Sequence, residues 1–428
     1  MSFMLDMLRE LAPLNRLPCS SGYEAAVSRA TAAFPFQVLE YPPDQVHNGW
    51  VIPPKSDVIR ATISKGGRLI WDGLSHPLAT IAYTAPFRGR VDLAELKAHL
   101  HADARFDDAL PFHFRQTYRA WARDWGFCMP KRMVDALEDG SYEVVIETSE
   151  SSSPLRVLEY VHRGDLDATM VMGVNSHPPG VANDGIAGCV VGMELFRRLQ
   201  GRRTKLTYAL VLVPGIIGSE YYLGRMTSNR RRDLLGGVFL EMLGSSTELA
   251  FQRSRDGHSD LDVLVARAMA KAGIPHRTAG YGEIILNDEY IWEAYGIPMS
   301  SLSRFPYPEY HSSRDDLPII REESLEEAVS ILHAAVLELE TTPLVRKTFE
   351  GTVCLSNPRY NAYVDPGQPA FGDVPDDQRR RLRRLMDLLP TLRRPTSAAT
   401  LAATVGLDPG AADAYLRRLA ELGLLTLQ

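Results

Sequence analysis

Asn175-Ser176-His177-Pro178-Pro179-Gly180-Val181-Ala182-Asn183-Asp184-Gly185-Ile186-Ala187-Gly188 follows an apolar run at 168–174 and precedes a helical pattern at 186–199. An apolar run feeding a polar turn and then an amphipathic helix is one step of a strand–helix alternation. The turn carries a histidine and a carboxylate seven positions apart, both suitable as zinc ligands. The small residues after Asp184 let the backbone turn tightly beside it. Taken alone, the pair reads equally well as a surface turn whose aspartate caps a helix.

The alternation continues on both sides of this turn. Apolar runs at 206–213, 237–242 and 298–302 alternate with helical patterns at 217–227, 259–272 and 323–340. This predicts an α/β domain with a mostly parallel sheet, whose chemistry lies beyond the carboxyl ends of the strands. Three further polar segments fall at such ends. Glu241 closes the run Gly236-Gly237-Val238-Phe239-Leu240-Glu241-Met242-Leu243-Gly244, where a lone buried carboxylate is costly unless paired or metal-bound. Asn287-Asp288-Glu289 precedes Tyr295-Gly296-Ile297-Pro298, and Tyr307-Pro308-Glu309-Tyr310-His311-Ser312-Ser313-Arg314-Asp315-Asp316 sets a histidine in a turn before a helix.

In this order the segments resemble the di-zinc aminopeptidase-like exopeptidases. The residues that carry the resemblance are Ala182-Asn183-Asp184-Gly185-Ile186-Ala187-Gly188, Glu241-Met242-Leu243-Gly244, Gly296-Ile297-Pro298 and Tyr310-His311-Ser312-Ser313, across about 155–345. Trp71-Asp72-Gly73, His76-Pro77, His113-Phe114-Arg115 and Asp124-Trp125-Gly126-Phe127-Cys128 are similar to a branch that adds a small inserted domain and a C-terminal winged helix. The resemblance implies a three-layer aminopeptidase-like α/β domain at 1–47 and 150–355, a β-rich insert at 48–149 and a winged-helix-like domain at 374–428. It further implies one or two Zn2+ ions, held by His177, Asp184 and Glu241 at one site and by Asp184 and His311 at a second.

The sequence departs from that family at a pair of glutamates, of which the first activates water and the second binds the second zinc. After the run at 206–213 the chain reads Pro214-Gly215-Ile216-Ile217-Gly218-Ser219-Glu220, so Gly215 and Ile216 stand where the glutamates would be. Glu220, about one and a half helical turns onward, is the nearest carboxylate and the first candidate for the base, with Glu289 in reserve. Asn287-Asp288-Glu289 replaces the family's Ser-Asp-His; Asp288 and Glu289 are then placed to orient substrate or bind its free amine.

Elsewhere the signals are weaker. Short β-like runs at 50–52, 58–64, 68–71, 80–83 and 142–148 give the insert its β character. Its aromatic stretch from Pro111-Phe112-His113-Phe114 to Trp125-Gly126-Phe127 reads as a packed layer or as the wall of a neighbouring pocket. His99-Leu100-His101 with Asp103 has clip spacing but reads as solvated surface, and Arg230-Arg231-Arg232 as an exposed loop. A linker is expected at 356–375, followed by helical patterns at 376–389, 396–405 and 409–422 and a Leu-Leu-Thr-Leu run at 424–427. Nine arginines against six acids make this last unit basic, yet Pro409-Gly410-Ala411-Ala412-Asp413-Ala414 offers no base-reading cation. Packing or dimerisation, and hence a homo-oligomer, fits it better than a nucleic-acid partner.

The 428 residues exceed one ordinary domain, and 45% apolar with 23% charged residues is a globular composition. A net charge of −6 argues against binding nucleic acid through the whole surface. Cys19, Cys128, Cys189 and Cys354 form no C-x-x-C pair, which excludes a cysteine zinc knuckle and suits the cytoplasm. The opening stretch carries Asp6, Arg9 and Glu10 inside its apolar run and reads as an amphipathic helix rather than a signal peptide. No apolar run reaches the ~20 residues of a membrane span. There is neither a phosphate loop nor a G-x-S-x-G elbow. The expectation is a zinc-dependent amide hydrolase acting on a small peptide or aminoacylated metabolite. The alternatives are a zinc-cleft protein that binds without turnover and a ligand-responsive regulator acting through the winged helix.

Overall fold

A computed structural model describes residues 2–43, 45–119, 121–367 and 376–428. Its centre is an eight-stranded sheet in the order Gln37–Tyr41, Leu155–His162, Thr207–Val213, Thr169–Asn175, Leu234–Glu241, Met299–Ser303, Leu249–Gln252, His276–Ala279. The four middle strands run parallel, and antiparallel pairs join the outer strands to them.

Side-chain alternation along these strands builds a core on each face. Met170, Met172 and Val174 meet Tyr208, Leu210 and Leu212 on one face, beneath the helices Phe3–Leu11, Gly188–Leu199, Asp260–Ala272 and Glu322–Thr341. Val171 meets Ala209, Val211 and Phe239 on the other, beneath Ile216–Gly224 and Glu289–Ala294. Both faces are covered, so the parallel strands Thr169–Asn175, Thr207–Val213 and Leu234–Glu241 are mostly apolar, with polar residues at their ends. The α/β layering expected from the sequence is present.

Lys55–Lys65, Arg68–Asp72, Phe87–Asp92 and Ser141–Ser151 form a separate four-stranded antiparallel sheet. The run at 80–83 is not a strand. Thr80 makes a single bridge to Phe127, and the N–H groups of Ile81 and Ala82 bond to Gly126 and His113 in irregular segments. Arg230–Arg232 lie in the short helix Ser228–Asp233 rather than a loop, where Arg230 pairs with the buried Glu159.

The C-terminal unit contains the helices Asp377–Leu388, Ala398–Val405 and Pro409–Glu421. Its three-stranded sheet pairs Leu344–Lys347 with Thr396–Ser397 and Leu425–Leu427. The middle strand therefore comes from upstream of the expected linker, of which 368–375 lie outside the described residues. The buried Asp260 accepts the Ser397 N–H (2.9 Å), and Arg394 donates to the carbonyls of Leu234 and Gly296, fixing this unit against the large sheet.

Candidate active site

The loop carrying His177 is held from below by a buried arginine. Arg16 donates to the carbonyls of Ser176 (3.2 Å), Val181 (2.8 Å) and Pro178, and to Leu11 (2.6 Å) and Ala12 (2.8 Å) in its own segment. Asn175 Oδ1 accepts the N–H of His177 (2.9 Å) and of Gly215 (3.2 Å), tying together the loops that follow two adjacent strands. Gly185 turns at φ +86°, and a Cβ there would lie 2.7 Å from the Asn175 carbonyl oxygen. Asp315 holds the Asp184 turn by accepting the N–H groups of Asn183 (2.6 Å) and Asp184 (3.0 Å) as well as the Tyr307 hydroxyl (2.6 Å).

These turns open on a cavity of about 170 Å³ lined in part by His177, Asp184, His311, Asn287, Asp288 and Tyr118. His311 Nε2 stands 3.3 Å from Asp184 Oδ2. The buried His177 Nε2 has no hydrogen-bond partner. Burial first, and then the charge of Arg16, lowers the His177 pKa to about 3, so its ring is neutral and keeps a lone pair. Three of the four expected metal ligands thus face one cavity.

The fourth, Glu241, is buried beside it. The Asn287 amide donates to both its oxygens, at 3.0 and 3.1 Å. Burial, then the proximity of Glu289, pushes its carboxyl well above the usual range. In kind, an imidazole with a free buried nitrogen, a carboxylate and a second imidazole suit zinc. In spacing they are looser: among the described residues no group of three or more His, Cys, Asp or Glu side chains stands close enough to hold a metal ion.

The two carboxylates expected as bases lie differently. Glu220 does not line the cavity; it accepts the Tyr295 hydroxyl (2.9 Å) and the Asn48 amide (3.3 Å), and lies 3.3 Å from His47 Nε2. Glu289 is fully buried, accepts the Asn287 N–H (2.8 Å) and is pushed up by burial. Asp288 is fully buried too, yet it belongs to the lining. Burial raises its pKa to about 7, although a hydrogen bond from Ser219 pulls the other way.

The aromatic stretch at 111–127 forms one wall. Phe112, Phe114 and Tyr118 line the cavity, and the Phe112 and Phe114 rings stand edge-on to His311 at 5.2 and 5.1 Å, while Tyr310 stacks on it at 3.8 Å. A Cβ at Gly215 would lie 2.6 Å from the Tyr118 hydroxyl. His99 instead stacks on Trp125 (3.8 Å) and Asp103 pairs with Arg105 (2.6 Å). Sequence reasoning missed Arg16, Asn175, Tyr118 and Asp315. Asn175 and Asp315 stood within the quoted turns and Tyr118 within the aromatic stretch, whereas Arg16 carried no signal.

A mixed sheet sandwiched by helices, with polar turns gathered at the ends of its parallel strands, is a three-layer α/β fold. The chain belongs to the family described as "Domain of unknown function (DUF4910)", which matches residues 5–342. A Clostridium acetobutylicum protein described as "Putative polysaccharide biosynthesis protein with aminopeptidase-like domain" is 24% identical over 341 residues, covering 78% of this chain and 77% of that one. A solved structure from Clostridium acetobutylicum, described as a "putative peptidase", superposes with a TM-score of 0.76 at 20% identity, covering 99% of this chain and 96% of the other. The zinc aminopeptidase BSAP from Bacillus subtilis superposes with a TM-score of 0.61 at 14% identity, covering 78% of this chain and 94% of that one. At these identities the likeness is one of fold.

Proposed function

We propose that the chain is a zinc-dependent hydrolase of an amide bond in a small peptide or aminoacylated metabolite. The observation that carries this reading is the gathering of a neutral His177, Asp184 and His311 on one cavity beneath an aromatic wall. His177, Asp184 and His311 would hold the ion, with Glu241 as a further donor once its bond to Asn287 gives way. Zinc in such a place polarises a carbonyl and lowers the pKa of bound water toward ~7. The rings of Phe112, Phe114 and Tyr310 would flank the apolar part of the substrate. A carboxylate must take the proton of the attacking water, and Glu220 and Glu289 are the candidates named from sequence.

Calorimetric titration of zinc into chelator-stripped protein tests the reading. One tight site, abolished by His177→Ala, supports it. Absence of tight binding removes the metal from the account. Tyr118 beside Gly215 favours a second reading, a zinc-cleft protein that binds its ligand without turnover. Amide turnover with added zinc separates the two.

The segments 1–47 and 150–355 would form the peptidase-like domain, 48–149 the insert and 374–428 a winged-helix-like domain. Three helices beside a three-stranded sheet support the last assignment. With no cation in the first turn of Pro409–Glu421, we assign this unit to packing or self-association rather than DNA. The free thiols of Cys19, Cys128, Cys189 and Cys354 support a cytoplasmic location, and among the described residues no helix is long and apolar enough to cross a membrane.

A further inference from the structure

We propose that Asp288 is the general base of this site, with Ser219 as its positioning residue. The inference deepens the hydrolase reading above and rests on it. Asp288 lines the same cavity as His177, Asp184 and His311, and its side chain is fully buried. Its Oδ1 accepts the Ser219 hydroxyl, while Ser219 itself accepts the Trp292 indole N–H at 3.2 Å. One oxygen is thereby fixed in direction, and the other, Oδ2, is buried without a partner. A buried carboxylate oxygen with no hydrogen bond is costly in a folded protein, and such groups recur where a reacting molecule supplies the missing bond.

The competing carboxylates are occupied or set back. Glu220 is taken up by Tyr295, Asn48 and His47 outside the lining, and Asn287 engages Glu241 on both oxygens. Glu289 receives the Asn287 N–H on one oxygen and leaves the other without a partner, but it does not line the cavity. The space beside Gly215 is filled by Tyr118. Asp288 is left as the lining carboxylate with a free oxygen that is not itself an expected metal ligand.

Its chemistry suits the task. A base works best when its pKa lies near the working pH, and burial brings Asp288 to about 7. The titratable groups around it are Glu289 and Tyr290 on its own stretch, Tyr118 from the aromatic stretch and Glu241 from the neighbouring strand. In the step proposed, the water oxygen bonds to the scissile carbonyl carbon as one water proton passes to Oδ2 of Asp288. That proton then passes to the amide nitrogen as the C–N bond breaks. An amine and a carboxylic acid leave, and the carboxylate is restored.

The test measures aminoacyl-anilide turnover and zinc content of the full chain with added zinc, for the parent, Asp288→Asn and Ser219→Ala. Asp288→Asn should lower kcat by roughly 10²–10⁴-fold with zinc content unchanged. Ser219→Ala should lower kcat by less than Asp288→Asn does and move the acidic limb of kcat/KM to higher pH, because the bond it removes orients the carboxylate and holds its pKa down. An active parent with Asp288→Asn within threefold of it overturns the proposal alone, as does loss of zinc from that variant. If Asp288→Asn does not fold, an unmoved acidic limb in Ser219→Ala overturns it. A parent inactive on every anilide overturns the hydrolase reading and the proposal with it.

Discussion

The hydroxyl of Tyr118 lies 2.6 Å from where a Cβ at Gly215 would stand, so a tyrosine from the aromatic stretch 111–127 fills the place of a side chain at the end of a central strand. Gly215 itself sits at φ +69°, ψ −170°, a conformation that belongs almost solely to glycine. The departure from the paired-glutamate pattern is therefore built into the backbone as well as the side chains. Any proton acceptor must reach the cavity from elsewhere.

Gly215→Ala should accordingly cost about 1–3 kcal/mol in backbone strain, and more from the contact with Tyr118. Tyr118→Ala should recover only the contact part when combined with it. Urea unfolding of the two single variants and the double variant measures this. A neutral Gly215→Ala would contradict the strain, and strict additivity would contradict the contact.

The layered sheet and the turn 175–188 were legible because strand alternation and strand-end polarity are local signals, written in runs such as 168–174 and 206–213. The meeting of Asp184 with His311 was legible only through the resemblance. Tyr118 was legible as part of an aromatic stretch that could wall a pocket, but its contact with Gly215 was not, because it depends on a long-range approach that no local pattern encodes. Arg16 follows an amphipathic helix and reads as a surface residue until the six carbonyls it serves are seen together. Leu344–Lys347 is too short to show alternation, so its pairing with Leu425–Leu427 was invisible. The run at 80–83 has β-like composition, yet irregular partners satisfy its backbone.

Arg16 sets the His177 loop, and replacing it leaves several buried carbonyls unbonded. Arg16→Leu should destabilise the protein by roughly 3–5 kcal/mol, the range for breaking a buried charged network. Arg16→Lys should fall between leucine and the parent, because one ammonium has three donors for six carbonyls. Thermal unfolding followed by circular dichroism reads both variants. A stable Arg16→Leu would mean that the loop is held by other contacts.

Asp288 also gives stability a pH dependence with a definite sign. Its folded-state pKa, about 7, lies above its ordinary 3.8, so between these values the folded protein binds more protons than the unfolded chain. Stability should therefore fall as pH rises from about 4 to about 7, by an amount of the order of a few kcal/mol. Asp288→Asn removes this slope, and the difference in unfolding free energy between parent and variant isolates it from other groups. A difference that is flat, or that moves in the parent's favour as pH rises, would contradict the assignment.

Zinc-dependent amide hydrolysis is proposed for the His177–Asp184–His311 cavity. Release of free amine from an aminoacyl-anilide panel by the full chain tests it most directly, measured with zinc, after chelation and in His177→Ala. Turnover with zinc is expected in the parent, abolished by chelation and absent in His177→Ala. No amine release from the zinc-loaded parent, or release that persists in His177→Ala, would contradict it.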